Sequence, residues 1–194
     1  SMGFGGGGYA YHGDYNVAIG SKAGYTNLLG KSNVAIGNQA MGGVFGESIC
    51  NYGHHNVAIG ERTLVRNVTG ERNIAMGKGS LYKNNDGSQN VGIGYCSMRC
   101  NLSGSFNVAL GTYTLKYNTT GCRNVAVGAY SLLCNTTGVN NVAVGNFAFF
   151  LNSTGSYNSG LGHCVQSNYT GAVVLGACAT ATANAQFVLG SSAF

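Results

Sequence analysis

Five carboxylates are available for acid–base chemistry: Asp14, Glu47, Glu61, Glu71 and Asp86. Glycoside hydrolysis needs two carboxyl groups at a defined separation across the scissile bond. None of the five recurs as a pair along the chain, so no catalytic residue is assigned and the chain is expected not to be an enzyme. A pair formed across two chains is the arrangement that would revive a glycan-degrading reading. The seven cysteines are odd in number and irregularly spaced, and Cys96 and Cys100 lack the second pair a zinc site would want. They read as free, small side chains, which suggests folding in a reducing compartment such as a cytosol. His54 and His55 are adjacent. They could meet a metal near a symmetry axis, but neighbouring histidines are more often plain surface residues. No metal and no cofactor is expected, and a calcium-binding repeat would need an Asp in every unit.

What remains is recognition. Tyr113, Tyr130 and Phe147 follow one another at a fixed interval. If consecutive units stack, these rings form a ladder with about 5 Å between neighbours. Such a stripe could stack sugar rings or pack against a neighbouring chain. Tyr52, His54 and His55 fall in an insertion between units, and loops added to a rigid scaffold are favoured places for recognition. These six residues are the receptor-contact candidates. Segments such as Asn67-Val-Thr-Gly70, Asn101-Leu-Ser-Gly104, Asn118-Thr-Thr-Gly121, Asn135-Thr-Thr-Gly138 and Asn152-Ser-Thr-Gly155 match an N-glycosylation sequon. Their placement at one corner of every unit explains them without glycans, since Asn and Gly suit tight left-handed turns. Thr119, Thr120, Thr136, Thr137, Ser153 and Thr154 line that corner, the only footing for an ice-binding alternative. They sit in turns beside Gly rather than on a flat strand.

The element that positions all of these is a repeat. An aliphatic-small-aliphatic-Gly tetrad, most often written Asn-Val-Ala-Ile-Gly, begins after Asn16, Asn33, Asn56, Asn73, Asn90, Asn107, Asn124, Asn141, Asn158, Ala172 and Gln186. A fixed period means one small unit stacked on itself. With the leading residue as position zero, +1 and +3 are Val, Ile, Leu or Met in nearly every copy, and +4 is always Gly. Alternating side chains put +1 and +3 on one face of a strand, and their β-branching favours strand over helix. These two columns are expected to be the core. Position +2 points the other way and stays small: Ala18, Ala35, Ala58, Ala75, Ala109, Ala126 and Ala143 among others. A solvent-facing column would drift toward polar residues, so these Ala residues are the candidates for contact with another copy of the chain. A second strand is expected after the Gly, with small residues at +7 and apolar ones at +8. The expected fold is all-β, a parallel β-solenoid or β-roll of about eleven rungs, roughly 50 Å long at ~4.8 Å per rung. The recurring Asn is expected to hydrogen-bond up and down its column.

Composition agrees. Glycine is very high at 33 of 194 residues, proline is absent and only 8% of residues are charged. The glycines lack the three-residue period of collagen. The net charge of +5 is spread thinly, with mixed signs between Glu61 and Lys83, which reads as a solvated face rather than a nucleic-acid stripe. No apolar run reaches membrane-spanning length, and no signal-peptide pattern is visible.

Three breaks divide the chain. Residues 1–15 are a Gly-rich lead or cap. Residues 16–190 are the repeat, with six extra residues falling near Val44 to His55 and a shorter spacing of 14 from Asn158 onward. Residues 191–194 are a truncated end, which suggests a piece of a longer fibre.

The Asn-Val-Ala-Ile-Gly unit resembles the head repeat of trimeric autotransporter adhesins, the YadA-like head. Its Asn-Thr-Thr-Gly-x-x-Asn-Val-Ala-x-Gly form resembles fibre repeats of bacteriophages and large DNA viruses. The resemblance covers residues 16–190 and differs in period, 17 for most rungs against 14 in the adhesin head. It implies a left-handed β-roll, a homotrimer and a role in attachment to a host or cell surface through a receptor or glycan. The cysteines favour a virion fibre, with a bacterial cell surface as the alternative location. Neither nucleic-acid binding nor membrane insertion is expected.

Overall fold

The computed structural model describes residues 2–4, 13–27, 29–44 and 50–190. Among them are twelve strands of three residues each: β1 Met2–Phe4, β2 Val17–Ile19, β3 Val34–Ile36, β4 Val57–Ile59, β5 Ile74–Met76, β6 Val91–Ile93, β7 Val108–Leu110, β8 Val125–Val127, β9 Val142–Val144, β10 Ser159–Leu161, β11 Val173–Leu175 and β12 Phe187–Leu189. They form one parallel sheet in strict sequence order. Identical repeat positions face each other, as in Val108↔Val125, Ala109↔Ala126 and Leu110↔Val127. The chain is a parallel β-solenoid. The stack reaches one strand ahead of the Asn16 copy, because Met2–Phe4 pairs with Val17–Ile19.

Two columns of buried Asn tie the rungs together. In the first, each side chain bridges to the next rung. Asn107 Oδ1 accepts the Asn124 backbone N–H at 2.9 Å, and Asn107 Nδ2 donates to the Gly121 carbonyl at 2.9 Å. The same pair of bonds recurs from Asn16 and Asn33 to Asn141 and Asn158. The second column is the Asn of the closing corner. Asn118 Nδ2 donates to Asn101 Oδ1 at 2.8 Å and to its own corner's Gly121 carbonyl at 2.9 Å. Asn67, Asn101, Asn118, Asn135 and Asn152 are all 1% exposed or less, so these sequon amides are structural and closed to a glycan. Buried amides carry a heavy cost when unpaired, and here nearly all are paired. The corner Gly is required by close approach: a Cβ at Gly104 would sit 2.5 Å from Asn101 Oδ1 and 2.6 Å from Asn118 Nδ2.

The core is the reverse of the one expected from the columns. Position +2 points inward: Ala58, Ala75, Ala109, Ala126 and Ala143 are 0% exposed within a single chain, Ala35 is 3% and Ala18 is 8%. These seven Ala residues are therefore core residues, not contacts to another chain. They pack with the +8 side chains Met41, Leu64, Leu81, Met98, Leu115, Leu132 and Phe149. The Val and Ile columns at +1 and +3 point outward and are half-buried or exposed, with Ile19 at 47% and Leu161 at 56%. The reason is volume. One Leu-sized side chain from the turn side fills the narrow interior of each coil, and only Ala fits opposite it. The pairing is visible where it changes. Phe149 replaces the usual Leu, and Gly160 replaces the facing Ala of the next rung, where a Cβ would lie 2.5 Å from Phe149 Cζ. In the shortened rungs Val165 and Val174, the latter at the +2 position that Ala holds elsewhere, are fully buried in the core.

The expected second strand is a turn. Non-glycine residues at +6, +8 and −1 adopt left-handed backbone, for example Tyr113 at φ 56°, Leu115 at φ 50° and Arg123 at φ 55°. This conformation costs roughly 1–2 kcal/mol per L-residue and bends the chain, so adjacent +7 and +8 side chains both point inward, which a strand forbids. Bonds between rungs continue there, as in Tyr113 N–H to Tyr95 C=O and Leu115 N–H to Ser131 C=O. The +7 hydroxyls are satisfied internally: Ser80 Oγ donates to the Gly92 carbonyl and Thr114 Oγ1 to the Gly128 carbonyl, each at 2.8 Å.

Gly160→Ala is expected to destabilise the chain by about 1–3 kcal/mol through overpacking, and Phe149→Leu added to it should restore most of the loss. Urea denaturation of the single and double variants checks this, and additive losses would contradict the pairing. Asn107→Ala is expected to cost about 2–4 kcal/mol, because the Asn124 N–H and the Gly121 carbonyl lose buried partners. The same denaturation series reads it.

Candidate functional surfaces

The turn that follows each strand carries the side chains able to recognise a partner. Because +7 and +8 face inward, +5, +6, +9 and +10 face outward and align from rung to rung. The expected aromatic ladder is present. Tyr113 and Tyr130 have ring centroids 5.5 Å apart, and Tyr130 and Phe147 are stacked at 4.9 Å with an interplanar angle of 2°. Three further rings extend it: Tyr95 meets Tyr113 edge-on at 5.2 Å, and Phe147 meets Phe150 at 5.5 Å and His163 at 6.4 Å. Tyr95 and His163 stand at +5 and Phe150 at +9, so a search along +6 alone does not find them. The two central rings stack on each other along the column. Their faces are turned toward neighbouring rings, which removes the open ring face a sugar would need.

Cations sit on the remaining rings. Lys116 Nζ lies 4.6 Å from the Tyr113 centroid and 4.8 Å from that of Tyr117, and the Arg99 guanidinium lies 5.2 Å from that of Tyr82. A bond to Tyr113, reinforced by the charge of the Cys96 thiolate form, raises the Tyr95 phenol above its ordinary range. A shallow notch beside the ladder is lined by Arg62, Lys78, Tyr82, Tyr95 and Arg99.

The closing corner holds the other candidates. Tyr52 is exposed, and its backbone N–H donates to the Val68 carbonyl. His54 is committed to the scaffold: its Nδ1 accepts the Lys31 backbone N–H at 2.9 Å. His55 is exposed, with its ring 6.4 Å from that of His54. Among the described residues no group of three His, Cys, Asp or Glu side chains is placed to hold a metal. Residues 45–49 of the insertion, including Glu47, lie outside the described residues. The structure thus keeps the two sets of candidates on separate corners, one before the strand and one after it. On the closing corner two of the threonine hydroxyls are spent within the column, Thr119 Oγ1 donating to the Thr136 carbonyl at 3.0 Å and Thr136 Oγ1 to the Ser153 carbonyl at 3.1 Å, while Thr120, Thr137 and Thr154 are exposed.

Three of the carboxylates form exposed ion pairs: Asp14 with Lys31 at 3.1 Å, Glu71 with Arg72 at 3.7 Å and Glu61 with Lys78 at 2.9 Å. All seven cysteines are free thiols. No helix among the described residues is long and apolar enough to cross a membrane. No family model matches the chain, and no curated protein or solved structure matches it either.

Burial pushes the Cys134 thiol up from its ordinary value, while Cys178 is exposed. Less thiolate at a given pH means slower alkylation. At pH 8, Cys134 is expected to react with iodoacetamide more slowly than Cys178. Peptide mass spectrometry over a time course measures both, and equal rates would contradict the assignment.

Proposed function

We propose that the chain is a structural segment of an attachment fibre, in which three left-handed coils pack side by side on a virion or bacterial cell surface. The observation that carries this reading is the outward aliphatic face. Val17, Ile19, Ile74, Met76, Ile93, Val142, Leu161, Phe187 and Leu189 are all exposed in the single chain and lie in the two columns of one sheet. Two apolar columns over a stack about 50 Å long make a patch on the order of 500 Å², larger than monomeric proteins ordinarily leave open. The columns are in register and carry no charge, so a second and third copy of the same face complement them without unpaired polar groups. This is the interface first ascribed to Ala18, Ala35, Ala58, Ala75, Ala109, Ala126 and Ala143, moved by one residue to the opposite side of the strand.

Three copies about one axis leave the turn surfaces outward and repeated. Weak contacts on each then add through avidity. Tyr52, His54 and His55 on one corner and Tyr113, Tyr130 and Phe147 on the other are the proposed places of receptor contact. The resemblance of the repeat to adhesin heads and viral fibres supports the same reading.

Light scattering on the purified chain is expected to give three times its 19.9 kDa mass. Val125→Glu, in the outward column, should yield a folded species of lower mass. Ala126→Glu, one residue along and facing inward, should unfold the chain by circular dichroism. A monomeric wild-type chain, or a Val125→Glu variant that keeps the full mass, would refute the interface.

A further inference from the structure

Stacking sorts the charges by column in a way the linear sequence hides. Seven of the ten Lys and Arg residues lie at +5 to +10 of their rungs: Lys22, Arg62, Arg66, Lys78, Lys83, Arg99 and Lys116. One carboxylate, Glu61, shares those positions, while Asp14, Glu71 and Asp86 sit at the closing corner with Lys31, Arg72 and Arg123. Between Glu61 and Lys83 the signs are mixed along the chain, which reads as a solvated surface. In three dimensions the turn face is basic, and six of its cations fall in four consecutive rungs, from the one starting at Asn56 to the one starting at Asn107. At ~4.8 Å per rung they form a line about 15–20 Å long parallel to the rod axis.

We infer that this line of cations binds a linear acidic polysaccharide, carrying sulfate or carboxylate groups, laid along the rod. Arg99 and Lys116 meet no carboxylate among the described residues. They are held instead over the rings of Tyr82, Tyr113 and Tyr117. A cation fixed on an aromatic face has already lost much of its side-chain freedom, so less is lost when an anion arrives. The notch between Arg62, Lys78, Tyr82, Tyr95 and Arg99 brings two guanidinium groups, two tyrosines and the Lys78 ammonium, itself paired with Glu61 at 2.9 Å, around one small recess, a place for a single anionic substituent. Lys83 and Arg66 line a second groove with Val68, Asn85 and Leu102.

The geometry separates a polysaccharide from a single-stranded nucleic acid. Nucleic-acid grooves of this type combine cations with open aromatic faces for base stacking. Here Tyr130 and Phe147 face each other at 4.9 Å, Phe147 also meets the edge of His163, and the Tyr82 and Tyr113 faces are taken by Arg99 and Lys116. The faces of Tyr82, Tyr113, Tyr130 and Phe147 are engaged by neighbours within the single chain. The aromatic ladder is thus a rigid bed for the cations rather than a platform for a sugar ring or a base.

The biological sense of this site, though not its geometry, rests on the reading of the chain as an attachment fibre. The test is binding of the full chain to immobilised heparin, with dextran as the neutral control and a poly-dT oligonucleotide as competitor. Binding to heparin and not to dextran is expected, weakening steeply as salt is raised. The double variant Arg99→Ala/Lys116→Ala should bind at least tenfold more weakly. Lys31→Ala/Arg123→Ala, with the same loss of charge at the closing corner, should bind within twofold of wild type. Arg99→Lys/Lys116→Arg keeps the charges and should retain binding, with the thermal midpoint of each variant serving as the fold control. A folded trimer that ignores heparin would overturn the inference and leave the fibre reading standing. So would equal losses in the two Ala double variants, which would reduce the effect to net charge, and so would displacement by poly-dT at equal concentration. A monomer that binds heparin in the expected pattern would sink the fibre reading and keep the site.

Discussion

Every rung lies one strand spacing from the next, and buried asparagine amides hold it there. Each zero-position Asn satisfies the backbone of the following rung, and each corner Asn satisfies both its own corner and its neighbour in the column. With strands of only three residues, ladder bonds alone offer little per rung. The amide columns supply the remaining polar pairing in an interior that excludes water, where an unpaired group would be expensive. The consequence reaches the sequence directly. Corner residues must be Gly, because the carbonyl that receives two amide donors leaves no room for a Cβ.

That close spacing also decides which side chains can be inside. A coil with one strand and one bent turn has a thin interior, and it is filled by one +8 side chain facing one Ala. The compensation of Phe149 by Gly160 shows how little slack there is. Val and Ile at +1 and +3 have nowhere to go but outward, and they leave an aliphatic face that a lone chain cannot cover. Folding of the single coil and, in the proposed trimer, contact between coils thereby fall to different residues of the same three-residue strand.

The turn side has the opposite character. Left-handed residues at +6 and +8 make the chain double back while keeping its inter-rung bonds, so four outward positions per rung are displayed on a stiff frame. Aromatic rings stack along that frame and cations rest on them. A surface with few charges and this degree of order favours recognition by position of charge rather than by total charge, and repetition around a three-fold axis would multiply each contact.

The period, the strand at Asn-Val-Ala-Ile-Gly, the parallel stacking, the Asn column and the spacing of Tyr113, Tyr130 and Phe147 were all legible in the sequence, because a repeat forces equivalent residues into register whatever the coil looks like. The direction each column faces was not. Alternation says that +1 and +3 oppose +2, but it is symmetric, and which side is interior depends on what packs from the turn. The turn could not be read because Leu64, Leu81 and Leu115 hold left-handed backbone that L-residues seldom adopt without tertiary support. The sequence determined the ladder of identical rungs. Only the tertiary structure decided that Ala is the core, that the aliphatic columns are the open face, and that the cations share one side, since each of these depends on how the chain bends between strands.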